Sequence, residues 1–412
     1  MKYLVVQAVW KQDSVTYMAE TLRKMGYEAE EYPVLLKMAS YLSDDEIEGL
    51  MTYVKEHQVQ VIITIYFVMN AVMAAYKCGI KYAAVLWDAP YLEIYNQLSK
   101  IDNVWISTFD RLERDRFRAY GMPHVIYQPL SVNADKVIEW NREIQKTLQG
   151  RYIYDISFVG NLYGNNSYKD NLKYIPLELQ YYFNSIFEEA AFRWDGVNRV
   201  YGKTSADIVE YIKKVSPEFS LENRQDIEDV RYFECNCLIR EIACIERVLV
   251  LNLLAENHRV TLYTTDRETA EDKLKGVEVC PPVKYGKAAS LVYAGSKINL
   301  NITLKGIEGG TPLRILDIMS AGGFVMTTYC EETAELFEED REIVMFRSPE
   351  ELVEKVDYYL THDRERKQIA RRGYEKVMKC YTYEKKMGEL IDWIESGVSK
   401  LNQSEDRSER NG

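Results

Sequence analysis

The stretch VQVIITIYF, residues 59–67, constrains this chain more than any other. A continuous β-branched and aromatic run has no polar face to offer water, so it predicts a strand covered on both sides. Parallel sheets with helices on both faces provide that environment. The neighbouring sequence agrees. KYLVVQAV leads through the loop WKQDS into VTYMAETLRKMGY, a helical pattern that Gly26 can end. NAVMAAYKCG, KYAAVLW, NVWIST, DRLERDRFRAYG and HVIYQPL then continue the alternation of helix and strand. Strands separated by single helices imply βαβ units and a doubly wound α/β sheet.

After the polar stretch NADKVIEWNREIQKTLQGR the pattern restarts. YIYDISFVGNLYGNN reads as a first strand running into a Gly/Asn-rich loop, the opening of a second Rossmann-like domain. From about 168 to 233 the chain is tyrosine-rich and helical in character, with breaks at DGVNRVYGKTS and VSPEFS, and reads as an insertion. The helix LIREIACIERVLVLNLLAENH leads to strands RVTLYTT and GVEVCPPV. AASLVYAGSKINLNITL, a short apolar helix from Pro312, and strands FVMTT and EIVMF follow. Three helices close the chain. The first starts with a capping box, Ser348 with Glu351, and Pro349 at its first position. The tail NQSEDRSERNG is expected to be disordered.

Composition narrows the function classes. The 412 residues exceed one usual hydrophobic core, so about two domains are expected. A formal charge of −12 without a basic stripe argues against nucleic acid and anionic membranes as partners. No apolar run is long enough to span a bilayer, and no N-terminal signal is expected, because MKYLVVQAVWKQDS reaches Lys11 and Asp13 before its apolar run is long enough for a secretory h-region. Seven scattered cysteines fit a reduced, cytoplasmic setting. Cys235, Cys237 and Cys244 lack the CxxC pairs of structural zinc sites, so buried thiols are favoured over a metal.

Several stretches resemble one family. SKINLNITL, GGTPLRILDIMSAGGFVMTTYCEETAELFEEDREIVMFRSPEELVEKVDYYL and the following ARRGYEKV look like the donor-binding half of glycosyltransferases typified by the spore-maturation protein CgeB. YAAVLWDAPYLE, TFDRLERDRFRAYGM and YDISFVGNLYG are similar to the half that accompanies it. The resemblance implies a GT-B fold, two Rossmann-like domains facing a central cleft. Residues 1–145 would form the acceptor-side domain and 146–384 the nucleotide-sugar-binding domain, with the insertion inside it. Residues 385–400 would form a helix crossing back, and 401–412 a tail.

The residues around the short apolar helix can be read on their own. Thr311 can cap it, and Arg314 and Asp317 lie three apart on its one polar face. Gly309 and Gly310 let an anion approach backbone N–H groups at the positive end of the helix dipole. Arg314 suits a phosphate and Asp317 two ribose hydroxyls, or the two could brace the helix as an ion pair. By the resemblance, Asp317 stands where related retaining enzymes bond the ribose with a glutamate. Their upstream sugar-binding glutamate is replaced by Gly309, with Glu308 beside it. Lys305 and Tyr285 fall where relatives contact phosphate and base.

Gly160, Asn161 and Gly164 could admit the donor phosphates, or form a plain βα turn; the pattern is not GxGxxG, which disfavours a nicotinamide dinucleotide. Asp88 ends a strand and could serve as the base for an acceptor hydroxyl, or cap the next helix; Asp13 is the competing base. The absence of a DxD triplet disfavours a metal-bound diphosphate and leaves no cofactor expected. The leading expectation is a metal-independent glycosyltransferase acting on a nucleoside-diphosphate sugar and a protein or glycan acceptor. A non-catalytic nucleotide-sugar-binding scaffold and a sugar-nucleotide epimerase are the alternatives.

Overall fold

The computed structural model describes residues 1–8, 13–37, 42–216 and 229–397. Parts of WKQDS and VSPEFS and the whole NQSEDRSERNG tail lie outside these. The chain divides into two compact units, one of residues 1–133 with the segment from Tyr381 on, the other of most of residues 134–380.

The first unit alternates strand and helix, with one exception. β1 (Lys2–Val6), α1 (Asp13–Lys24), β2 (Glu28–Glu31), α2 (Asp44–Glu56), β3 (Val61–Ile65), α3 (Met69–Cys78), β4 (Lys81–Val85), β5 (Val104–Thr108), α4 (Arg111–Tyr120) and β6 (His124–Tyr127) follow in order. Only two short 3-10 turns, Leu92–Ile94 and Gln97–Lys100, stand between β4 and β5. The strands form one parallel sheet in the order β2-β1-β3-β4-β5-β6. All five residues of β3 are buried, as its unbroken apolar run requires. Successive side chains point to opposite faces. Leu4, Ile62, Ala84 and Ile106 pack under Leu50 of α2 and Val72 of α3, whereas Val5, Ile63, Ala83 and Trp105 pack under Met18 and Leu22 of α1. Asp110 caps α4 by accepting from the N–H groups of Leu112 and Glu113, and Gly121 ends it in the left-handed conformation.

Two elements escape the sequence reading. β2, with the sequence EAEE, lies at the sheet edge, where charge is tolerated; Glu30 pairs with Lys2 at 2.6 Å and Glu31 accepts from the Thr16 hydroxyl at 2.8 Å. α2 buries only Ile47, Leu50 and Val54 and exposes an acidic first turn.

The second unit starts earlier than the 145/146 boundary expected from sequence. The polar stretch after Asn133 is a helix, α5 (Ala134–Leu148), and its Trp140 ring lies against Gly286 at the start of α12 (Lys287–Ala294). β7 (Tyr154–Val159) follows, then the insertion helices α6 (Ser167–Asn171), α7 (Leu177–Ala190), α8 (Ala206–Val215) and α9 (Asp229–Phe233). These share their own apolar cluster around Phe183, Phe187, Phe233 and Ile242. A π-helical turn at Glu234–Leu238 runs into α10 (Ile239–Ala255). β8 (Val260–Tyr263), α11 (Arg267–Lys273), β9 (Glu278–Cys280), α12, β10 (Ser296–Asn301), α13 (Leu313–Ser320), β11 (Val325–Thr328), α14 (Glu331–Leu336), β12 (Val344–Phe346), α15 (Pro349–Thr361) and α16 (Asp363–Cys380) complete it.

This second sheet is also parallel, in the order β12-β11-β10-β7-β8-β9. Counted within the unit, that is the Rossmann order 3-2-1-4-5-6, with its reversal between β7 and β10. Ser348 caps α15 by accepting from the Glu351 N–H at 3.2 Å, while the Glu351 carboxylate takes the Arg347 N–H at 2.7 Å. The last helix, α17 (Tyr383–Ser396), belongs to the first unit, where its Met387, Leu390 and Ile394 cover the sheet face that α1 also covers.

Candidate functional site

Open parallel sheets bind ligands beyond the carboxyl ends of their strands, where the strand order reverses. In the second unit that point is the gap between β7 and β10. Gly160 follows β7 directly, and a Cβ on it would lie 2.8 Å from the Arg314 Nη1 atom. Glycine there lets the guanidinium of α13 lie over the turn.

Thr311 does not cap α13. Pro312 occupies the cap position in extended conformation, the helix starts one residue later than expected, and the Thr311 hydroxyl pairs with that of Thr333 at 3.0 Å. Arg314 reaches the Tyr293 hydroxyl, which holds the guanidinium toward α12. Asp317 accepts from the Tyr285 hydroxyl at 3.3 Å. Burial pushes the Asp317 carboxyl up to about 7, against the opposing pull of the Arg314 charge and the Tyr285 hydrogen bond. No direct Arg314–Asp317 ion pair occurs among the described residues, so the bracing alternative does not describe their geometry.

The β7 loop splits in role. Asn161 is exposed; its side-chain oxygen takes the Tyr163 N–H, and Tyr163 adopts a positive φ of 58°. Gly164 differs from the expectation of open backbone. Its N–H is donated to Asp266 at 2.7 Å, and a Cβ there would overlap Thr269 Oγ1 at 1.6 Å. Its glycine serves the packing of the loop on α11.

Two charged residues of α10 complete the site and were not singled out from sequence. Arg247 is buried, donates to the Asn161 carbonyl and, at 2.9 Å, to the Ile302 carbonyl, and lies over the Tyr163 ring at 4.8 Å. It therefore ties the β7 and β10 loops together. Burial presses its pKa down, Tyr163 supports the charge, and Arg314 opposes it. Glu246 is fully buried; its Oε1 accepts from Trp194 Nε1 at 2.6 Å and from Lys305 Nζ at 3.1 Å, and its Oε2 has no hydrogen-bond partner. Burial pushes this carboxyl up to about 7, although Lys305 and Trp194 pull it down. The readable signal was the pair ER inside the otherwise apolar IACIERVLVL.

Lys305 also donates to the Arg193 carbonyl at 2.8 Å. It lines a cavity of about 480 Å³, open mouth included, together with Glu308, Trp194, Thr328 and Tyr329. Gly310 is buried and Gly309 half-buried, and the thiol of Cys330, which also lines this cavity, points to the Gly310 carbonyl at 3.7 Å. Cys235, Cys237 and Cys244 are buried thiols of the π-helical turn and α10; burial raises the Cys237 pKa.

In the first unit, Asp88 is exposed just beyond β4 and hydrogen-bonds the Tyr66 hydroxyl, whose pKa burial raises. Tyr66 directly follows β3 with φ 66° and stacks on Tyr91 at 5.6 Å. The Ala89–Pro90 peptide is cis. Asp88 caps no helix: the next turn starts after Tyr91 without a side-chain cap. Asp13 is the first residue of α1 rather than a loop residue, and its charge suits the positive end of that helix.

The comparisons bear on this geometry. Residues 245–392 match the family model described as glycosyl transferase-like, a span that runs from α10 through Lys305, Arg314 and Asp317 into α17. No curated protein matches the sequence. Among solved structures, a glycosyltransferase from Rickettsia africae ESF-5 aligns over 96% of this chain and 100% of its own, at TM-score 0.54 and 11% identity. Anabaena HepE in complex with UDP-glucose aligns over 96% and 100%, at 0.54 and 9%. Sucrose-phosphate synthase from Thermosynechococcus elongatus aligns over 97% and 100%, at 0.53 and 9%. The fold is that of GT-B glycosyltransferases. No helix among the described residues is long and apolar enough to cross a membrane.

Proposed function

We propose that this protein is a glycosyltransferase of the CgeB type that moves a sugar from a nucleoside diphosphate to an acceptor hydroxyl on a protein or glycan. One observation carries the reading. Arg314, Arg247 and Asp317 converge where the strand order of the second sheet reverses, inside the span that matches the glycosyl transferase-like model. Two guanidiniums beside the glycine turn at Gly160 suit a diphosphate, and the Asp317 carboxylate suits the ribose hydroxyls. The HepE complex with UDP-glucose makes a sugar nucleotide the natural donor to test. Charge developing on the leaving diphosphate would be met by Arg314, Arg247 and the α13 N-terminus, without a metal. Asp88 would take the acceptor proton. Seven free cysteines support a reducing, cytoplasmic setting.

A thermal-shift panel of UDP-, GDP-, dTDP- and CMP-sugars tests the donor site. The preferred donor at a hundredfold excess over its dissociation constant should stabilise the fold by about 2.7 kcal/mol. A protein stabilised by none of them would not be a sugar-nucleotide enzyme. Release of free nucleoside diphosphate only with a hydroxyl-bearing acceptor separates transfer from epimerisation and from scaffolding.

A further inference from the structure

The second unit carries another concave site at the opposite end of its sheet. It opens beside Tyr152, two residues before β7, Ser296 at the start of β10 and Phe324 just before β11. A six-residue strand is roughly 20 Å long, so this cavity and the Gly160–Arg314 site lie at the two ends of β7. Its space is about 1170 Å³, open mouth included.

Its charge is unlike that of the chain. Arg151, Arg366, Lys367 and Arg371 line it and no acidic residue does, in a protein of formal charge −12. Arg366 is 1% exposed, which makes it the largest fully buried side chain of the described residues. A buried guanidinium is costly unless every N–H is satisfied. Arg366 binds the Tyr359 carbonyl and Asp363, yet its Nε–H has no partner. Asp363 and Glu375 offset part of the positive charge, the first through Arg366 and more distantly Lys367, the second through Arg371. The Arg366 guanidinium and the Lys367 ammonium both lie over the Tyr152 ring, at 5.2 and 5.7 Å. Tyr374 and the exposed Gln145 of α5 add an aromatic face and a hydrogen-bonding group to the wall.

We infer that this cavity binds a sugar phosphate, its phosphate held by Arg366, Lys367, Arg371 and Arg151 and its ring laid against Tyr152 and Tyr374. Forked guanidiniums match phosphate oxygens, and tyrosine faces accept the apolar side of a sugar ring. None of these residues belongs to the donor site, so the inference stands apart from the proposed transfer.

Isothermal titration calorimetry of the full chain with ribose 5-phosphate, inorganic phosphate and ribose tests it. Ribose 5-phosphate should bind more tightly than inorganic phosphate, and ribose should give no binding. The exposed rim can be removed without disturbing the core, so the triple variant Arg151→Ala, Lys367→Ala, Arg371→Ala should keep its melting temperature and lose about tenfold or more in ribose 5-phosphate affinity. Arg314→Ala should leave that affinity unchanged. Absence of ribose 5-phosphate binding, or equal affinity in the triple variant, overturns the site. Loss on Arg314→Ala moves the ligand to the donor loop, and equal affinity for inorganic phosphate overturns the sugar assignment.

Discussion

At the scale of single residues, Arg314 and Gly160 act as one device. The guanidinium lies 2.8 Å from where a Cβ at residue 160 would sit, and the backbone there has no positive φ that would itself require glycine. Arg314→Ala should therefore weaken nucleoside diphosphate binding far more than free nucleoside binding, by about 10- to 100-fold for a lost charge-assisted pair. Gly160→Ala should reproduce part of that loss by displacing the same guanidinium; equal losses for nucleoside and nucleoside diphosphate would show that neither residue meets a phosphate. Asp317 gives a pH signature of known sign. Its folded pKa of about 7 lies above the ordinary 3.8, so the folded chain holds this proton more tightly than the unfolded one. The associated stability is present below about pH 4 and is lost as pH rises to about 7. Ribose hydroxyls prefer the ionised acceptor, so nucleoside affinity should rise between pH 6 and 8. In Asp317→Asn, titrated by calorimetry, both trends should flatten; a wild-type affinity that is level across this range would remove Asp317 from the ribose contact.

Elements show why the loop after β7 is rigid where it is. Gly164 packs on Thr269 of α11 at a distance no side chain could occupy, and its N–H is fixed by Asp266. Gly164→Ala should cost about 1–3 kcal/mol through overpacking, read as a lower urea midpoint with an unchanged slope. A change below 0.5 kcal/mol would mean that the loop yields. The same elements mark how far sequence reaches. β3 and β7 were legible because local apolar runs specify a buried parallel strand. β2 was not, because EAEE is chosen by edge position and by partners such as Lys2 and Thr16. α5 read as a polar stretch because only three of its residues, Val137, Ile144 and Leu148, are buried. In the site, Arg314 and Asp317 stood out by spacing on one helix. Glu246 and Arg247 did not, because their meaning lies in Lys305, Trp194 and the Asn161 and Ile302 carbonyls, all at least 50 residues away in sequence.

For the whole molecule, the proposed function assigns its chemistry to the two units separately. Every residue assigned here to the sugar nucleotide belongs to the second unit, whereas Asp88 and its partner Tyr66 belong to the first. A base that acts on the acceptor contributes to the chemical step and leaves the donor's ground-state binding alone. Asp88→Asn keeps the shape of the side chain and removes its proton affinity. It should leave sugar-nucleotide affinity within about twofold and lower kcat by about 10²–10⁴, the usual range for a general base. Tyr66→Phe removes the hydroxyl that holds Asp88 and should cost less, because the carboxylate persists but loses its fixed orientation. Unchanged turnover in Asp88→Asn would take this residue out of the mechanism. A parallel loss of donor affinity would instead make it part of the nucleotide site, and the division of labour between the units would fall with it.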